Sequence, residues 1–221
     1  MIDSLLFCRR FVLAGLFVGC AVTLAAIGGA RADTPLDGAA AFIKEIGDET
    51  VAALAEDATD GSTRRERLAD VLRAGLDIRS IGRFVLGRHW RAASVEQRAS
   101  YDRLFERYLV TTYVERLSRY SNATFTVVDA QPFGRKGDAV VITAIRPPEG
   151  ETITASWRVR GADGRFKILD LMVEGVSMAV TQRADFNALI NKGGFDGLLL
   201  RLQELVRLLD GSAQEVAQKP E

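Results

Sequence analysis

The chain is short of the side chains that nucleophilic and metal-dependent chemistry uses. It has two cysteines, Cys8 and Cys20, and one histidine, His89. His89 lies in GRHWR, with no cysteine beside it and no HxxE-type pair near it. A histidine-based metal site would have to be completed by carboxylates alone, so a structural or surface role is the plainer reading of His89. No GxSxG, P-loop or GxGxxG stretch occurs, which removes the usual signatures of serine hydrolases, nucleotidases and dinucleotide enzymes. An excess of one charge is lacking too. Lys plus Arg and Asp plus Glu stand at 29 each, so no polyanion partner is indicated and nucleic acid is not expected. Internal repeats and low-complexity segments are absent. What remains is 221 residues of ordinary globular composition, 48% hydrophobic and 26% charged, long enough for one domain with a sizeable core.

One long hydrophobic run is present, and it stands at the N-terminus. Arg9 and Arg10 precede FVLAGLFVGCAVTLAAIGG, from Phe11 to Gly29, and Ala30-Arg31-Ala32 follows. A positive n-region, an apolar stretch and small residues at an Ala-x-Ala site are the pattern of a secretory signal peptide. Residues 1–32 are therefore expected to be removed, with the mature chain starting at Asp33. The run is close to the roughly 20 residues of a spanning helix, which makes an uncleaved anchor the other reading; Gly28-Gly29 and the cleavage site favour removal. Cleavage discards both cysteines, so the exported protein needs no disulfide and holds no thiolate metal site. It also removes Arg9, Arg10, Arg31 and Asp3, leaving the mature chain near neutral. Such a chain does not cling to an anionic membrane by electrostatics alone.

The first half of the mature chain has helical periodicity. Phe42, Ile46, Val51 and Leu54 mark a helix over 37–58, which closes at Asp60-Gly61. Ser62 begins a second helix carrying Leu68, Val71, Leu72 and Leu76. DIRSIGRFVLG, 77–87, is a short helix stopped by Gly87. Ser94-Val95-Glu96-Gln97 reads as a capping box, in which Ser and Gln each satisfy a free backbone N–H of the other's residue. It opens a long helix to about Tyr120 with an aromatic-rich stripe. The second half changes to period two. Strands are predicted over 124–129, 139–146, 152–160 and 165–173, joined by turn-forming links. Short links imply an antiparallel meander. The third strand alternates cleanly, with Ile153, Ala155, Trp157 and Val159 on a dry face and Thr152, Thr154, Ser156 and Arg158 on a wet one. Helices return over 177–191 and 195–209, separated by Gly193-Gly194, and a disordered tail is expected over 211–221. The class is α+β: a curved four-stranded antiparallel sheet with helices packed on one face.

The stretch DLMVEGVSMAVTQRADF, from Asp170 to Phe186, turns from strand to helix through Glu174-Gly175-Val176-Ser177. Period two places Asp170 on a face with Phe166, Ile168 and Met172. An acid there is either paired, with Arg183 or with N–H groups of the helix beginning near Ser177, or it is an acid/base in an apolar pocket. The arginines clustered at 64–67, 79–91 and 98–107 read mainly as solvated helix faces.

Two stretches resemble a known family. DIRSIGRFVLGRHWRAASVEQRASYDRLFERYLVTTYVERLSRY and ITASWRVRGADGRFKILDLMVEGVSMAVTQRADFNALI resemble the signatures of the MlaC, or toluene-tolerance, family. The matching residues are Leu86, Gly87, Trp90, Arg91, Gln97, Tyr113 and Leu117, then Gly164, Asp170, Glu174, Gly175, Ser177, Arg183 and Phe186. Phe166 stands where the family usually has Trp. The resemblance spans most of the mature chain, 33–210. It implies an NTF2-like cone enclosing an apolar lipid cavity, and a periplasmic carrier that shuttles phospholipid between an outer-membrane lipoprotein complex and an inner-membrane ABC transporter, supporting outer-membrane lipid asymmetry. The run from Met178 to Arg183 also resembles the hopanoid-associated HpnM branch, so the cargo implied is a phospholipid or a hopanoid. No enzyme activity, cofactor or metal is implied. Such a carrier must shield acyl chains: at about 0.8 kcal/mol per CH₂, two chains of about 15 methylenes hold roughly 24 kcal/mol gross against passage through water. The cavity residues expected on this basis are Phe105, Tyr108 and Leu109 on the long helix, Ile142, Ala155, Trp157, Ile168 and Met172 on the strands, and Met178 on the returning helix, with Val180, Phe186 and Ile190 closing the roof. The rival readings are an enzyme of hydrophobic substrates using Asp170 and an inner-membrane-anchored scaffold held by the N-terminal run.

Overall fold

The computed structural model describes residues 35–55, 61–134, 137–162 and 164–218. The expected signal peptide, the start at Asp33, Asp60 and Asp163 lie outside the described residues. Five helices come first: α1 (Pro35–Ala55), α2 (Gly61–Gly75), α3 (Ile78–Leu86), α4 (Arg88–Ala92) and α5 (Val95–Leu117), followed by a 3₁₀ turn at Ser118–Tyr120. The strands β1 (Thr124–Phe133), β2 (Asp138–Arg146), β3 (Ile153–Ala162), β4 (Arg165–Val173) and β5 (Val176–Ser177) precede α6 (Met178–Gln218).

Helix starts follow local chemistry. Asp77 caps α3 by accepting the Ser80 N–H at 3.0 Å. The box at α5 is complete: Ser94 Oγ accepts the Gln97 N–H at 3.1 Å, and Gln97 Oε1 accepts the Ser94 N–H at 3.1 Å. The break within α6 falls at Gly194, where φ 70° and ψ −177° are not helical and suit a residue without Cβ. The helix then continues to Gln218, past the expected end near Leu209.

The sheet is antiparallel throughout, in the order β1-β2-β3-β4-β5. It has five strands, not four. The extra strand, β5, has two residues, and it arises because Glu174 and Gly175 both take positive φ, 48° and 79°. Positive φ at both central residues is the type I′ hairpin conformation, which folds Val176-Ser177 back onto Val173-Met172. A second departure lies in β4. Its pairing with β3 shifts so that Arg158 faces Asp170 while Val159 faces Ile168. Arg158 and Val159 are successive residues and point to opposite faces, so Ile168 and Asp170 do as well. The bulge at Leu169 thus breaks the period-two alternation that had placed Asp170 with Phe166 and Ile168.

Three packed regions hold the elements together. Ala39 and Ile43 of α1 are buried against Ala139, Val141, Val159 and Ile168 on the inner face of the sheet. Phe166 joins them, its ring stacked on Phe42 at 6.0 Å and lying against Gly38 and Gly161. A helical core is built from α3, α5 and α6, with Val85, Leu86, Tyr101, Phe105, Phe186, Leu198 and Leu202. A third region ties α1 and α2 to α5 through Ala53, Leu54, Leu68, Val110 and Val114.

Candidate functional site

Between the sheet and the helices the packing leaves space. A cavity of about 400 Å³ opens there, inside the roughly 300–1,000 Å³ range of ligand pockets. Its floor is the inner face of the sheet: Phe125, Ile145, Ile153, Ala155, Trp157, Ile168, Leu171 and Val173. Register explains this set. Ile145 pairs with Ile153, Ala155 with Val173, and Trp157 with Leu171, and directly paired residues share a face. Helix α1 supplies Ile43, Ile46, Gly47, Thr50, Val51 and Leu54, and α2 supplies Val71, Leu72 and Gly75. The end of α5 adds Tyr113, Arg116 and Leu117, with Tyr120 beyond it; this is the i, i+3, i+4, i+7 stripe of a single helix face. Met178 closes one end.

Several of these apolar residues point inward yet are only half-buried, among them Ile46, Val51, Ile145, Ile153, Leu171 and Val173. In a filled core they would be buried. Their remaining surface is the cavity wall. The one indole on this wall hides its polar end: Trp157 Nε1 donates to Thr143 Oγ1 at 2.9 Å, and that hydroxyl donates to the Ala155 carbonyl at 3.1 Å. Beside it Phe125 lies against α1, so close that a Cβ at Gly47 would stand 2.3 Å from its ring. Tyr113, on α5, puts a phenol on this wall. Burial pushes its pKa up, the Arg116 guanidinium opposes this, and the Asp170 carboxylate adds to it, so Tyr113 remains neutral at ordinary pH.

Of the expected cavity residues, Ala155, Trp157, Ile168 and Met178 line this space. The others do not. Phe105 and Leu109 are buried in the helical core, where the Phe105 ring stacks on Tyr101 at 5.2 Å and meets Phe186 edge-on at 6.2 Å. Tyr108 packs on the same Phe186 and donates its hydroxyl to Gln182 Oε1 at 3.1 Å. The face of α5 carrying these residues packs against α6, and only its last turns reach the cavity. Ile142 and Met172 both pair with Ser156, on the opposite face of the sheet from Ala155 and Trp157. For Met172 the reason is the β4 bulge. Phe186 and Ile190 belong to the helical core, and Val180 is exposed, so these residues do not roof the cavity. Sequence reasoning missed the large contribution of α1 and α2. Their helical stripes were visible, but not that these stripes would face empty volume.

The corner from β4 to α6 is locked by hydrogen bonds. Asp170 Oδ2 accepts from Ser177 Oγ at 2.5 Å, and Oδ1 accepts the Ala179 N–H at 3.0 Å. Ser177 Oγ in turn accepts the Val180 N–H at 3.0 Å. The carboxylate therefore sits on the free N–H groups of the helix start, where negative charge is favoured. Arg183 is not its partner; its guanidinium lies over the Phe84 ring at 5.2 Å and against Gly87. Glu174 braces the turn from outside: its carboxylate accepts the Thr154 N–H at 2.6 Å, and its own N–H donates to the Thr154 carbonyl at 3.0 Å. Asp170 is not among the cavity-lining residues.

Among the described residues no cluster of three or more His, Cys, Asp or Glu side chains could hold a metal ion. Among the same residues no helix is long and apolar enough to cross a membrane.

The family model described as MlaC protein matches residues 44–204, a span that runs from α1 through the break in α6. The chain belongs to the MlaC family. Nearly all of the cavity wall falls within the MlaC match. A curated relative, the intermembrane phospholipid transport system binding protein MlaC of Haemophilus influenzae, is 25% identical over 126 residues, covering 56% of this chain and 59% of that protein. The MlaC likeness to that relative thus extends over less than two thirds of its length. Among solved structures, the phospholipid-binding protein from Ralstonia solanacearum, determined in complex with a phospholipid, superposes with a TM-score of 0.68 at 23% identity, covering 78% of this chain and 98% of that one. At that identity the likeness shows that the two share a fold.

Proposed function

We propose that this MlaC-family protein is a periplasmic lipid carrier, exported by removal of residues 1–32, that shuttles phospholipid between an outer-membrane lipoprotein complex and an inner-membrane ABC transporter and so supports outer-membrane lipid asymmetry. The observation that carries the reading is the cavity: about 400 Å³ walled by aliphatic and aromatic side chains of α1, α2 and the inner sheet face. Such a space shields hydrocarbon from water, and among the described residues its wall carries no His, Cys, Asp or Glu. Burying acyl methylenes at about 0.8 kcal/mol each supplies the affinity. The names of the relatives support the cargo, since one is a phospholipid transport binding protein and the other a phospholipid-binding protein in complex with its lipid. Asp170, the residue an enzymatic reading would need, has both oxygens engaged at the start of α6.

The test is native mass spectrometry of protein purified from the periplasm without detergent, followed by lipid extraction. The expected result is a chain beginning at Asp33 with a glycerophospholipid bound. A polycyclic triterpenoid in its place assigns the protein to hopanoid traffic. A chain that carries no lipid and takes none from vesicles overturns the carrier reading.

A further inference from the structure

The charged groups on the cavity wall are of one sign and at one end. Arg116, in the last turn of α5, and Arg119, in the 3₁₀ turn after it, both line the cavity, and among the described residues no Asp or Glu does. Five arginines elsewhere in the chain are held by acids: Arg73 with Asp70 and Glu106, Arg107 with Asp210, Arg158 and Arg160 with Asp138, Arg201 with Glu204. Among the described residues Arg116 and Arg119 form no ion pair. Both are exposed, so each guanidinium is hydrated and within reach of a ligand without first breaking a salt bridge. Arg116 lies 5.7 Å from the centre of the Tyr113 ring, which limits where its fork can point. Tyr113 and Tyr120 line the same end of the cavity, and Tyr113, kept neutral by burial, is a hydroxyl donor there.

We infer that Arg116 and Arg119 form a headgroup site at the cavity mouth that selects glycerophospholipids of net negative charge, the phosphate lying against the two guanidiniums while the chains enter the apolar space. This rests on the carrier reading and adds the class of headgroup to it. Guanidinium matches phosphate with parallel N–H donors, which an ammonium does not. A zwitterionic headgroup brings its own cation to the same place, where two unpaired arginines repel it. A headgroup without phosphate leaves the arginines with nothing to bind. The preference is bounded by exposure: charge pairs in contact with water give modest energies, equivalent here to about three- to tenfold in affinity ratio, and salt weakens them further.

The experiment loads the purified protein from vesicles containing equal amounts of phosphatidylglycerol and phosphatidylethanolamine with identical acyl chains, and reads the ratio of the two bound lipids by mass spectrometry. Both lipids sit in the same vesicle, so attraction of the protein to a charged surface does not bias the ratio. Wild type is expected to hold phosphatidylglycerol in about three- to tenfold excess at low salt, with the excess shrinking as salt is raised. In the Arg116→Gln/Arg119→Gln variant the bound ratio should fall to that of the vesicle. Arg119→Glu alone should turn it toward phosphatidylethanolamine. A wild-type ratio that mirrors the vesicle, or a preference that survives in the double variant, overturns the headgroup site while leaving the carrier reading intact. Failure of wild type to take up either lipid overturns both.

Discussion

The Ser177 hydroxyl donates to Asp170 Oδ2 at 2.5 Å and accepts the Val180 N–H at 3.0 Å, so one serine joins the last long strand to the first turn of α6. Two devices bring the pair together. The type I′ turn at Glu174-Gly175 reverses the chain, and the bulge at Leu169 moves Asp170 off the face of Ile168. Without the bulge the carboxylate would point with Ile168 toward the cavity and the α1 core.

Asp170→Ala should lower stability by about 1.5–3 kcal/mol, the range for losing hydrogen bonds to a charged group, together with part of the helix cap. Urea unfolding measures the stability, and lipid bound per folded molecule is read in parallel. Stability equal to wild type with lipid binding abolished would mean that Asp170 acts on the ligand and not on the corner.

Ala155→Trp separates a cavity from a filled core. Ala155 is buried at the floor of the cavity, and in a filled core such an enlargement costs about 1–3 kcal/mol. Here the added ring has space to enter. Delipidated protein should melt close to wild type, and bound lipid should fall sharply. A large drop in melting temperature with lipid still bound would place Ala155 in solid packing.

Gly47→Ala sets two effects against each other. Ala is favoured over Gly in a helix interior by about 0.8–1 kcal/mol. The new Cβ, however, would meet the Phe125 ring at 2.3 Å, and relieving such an overlap costs about 1–3 kcal/mol. The overlap should win, with net destabilisation and Phe125 displaced toward the cavity. A variant more stable than wild type would show that Phe125 moves freely.

Asp138 gives the acid sensitivity a sign. Burial pushes its carboxyl up, but hydrogen bonds and charge from Arg160 and Arg158 outweigh this and hold it below the ordinary value; the bonds run from 2.6 to 3.0 Å. A carboxyl lowered in the folded state contributes stability above its unfolded pKa of about 3.9, and that contribution is lost as pH falls through the lower folded value. Arg160→Gln raises the folded pKa, so acid unfolding should begin at higher pH than in wild type. Denaturant midpoints between pH 7 and pH 2 test this. Identical acid profiles would show that the pair does not stabilise the fold.

Local chemistry and periodicity made much of the fold legible. The Ser94–Gln97 box, the stop of α3 at Gly87, the change from period 3.6 to period two, the dry face of β3 and the break at Gly193-Gly194 can each be read from a few adjacent residues, because each is satisfied within one or two turns of chain. The α+β class follows from their order. What the tertiary structure alone decided is where those faces point. The bulge at Leu169 puts Met172 beyond the reach of a period-two reading, because its cause lies in pairing with β3. The aromatic stripe of α5 looks uniform along the chain, yet Phe105 and Leu109 meet α3 and α6 while Tyr113, Arg116 and Leu117 meet empty space. A cavity is volume that no side chain fills. A hydrophobic pattern says that a residue leaves water, and only the docking of α1 and α2 across the sheet determines whether another residue is waiting on the other side.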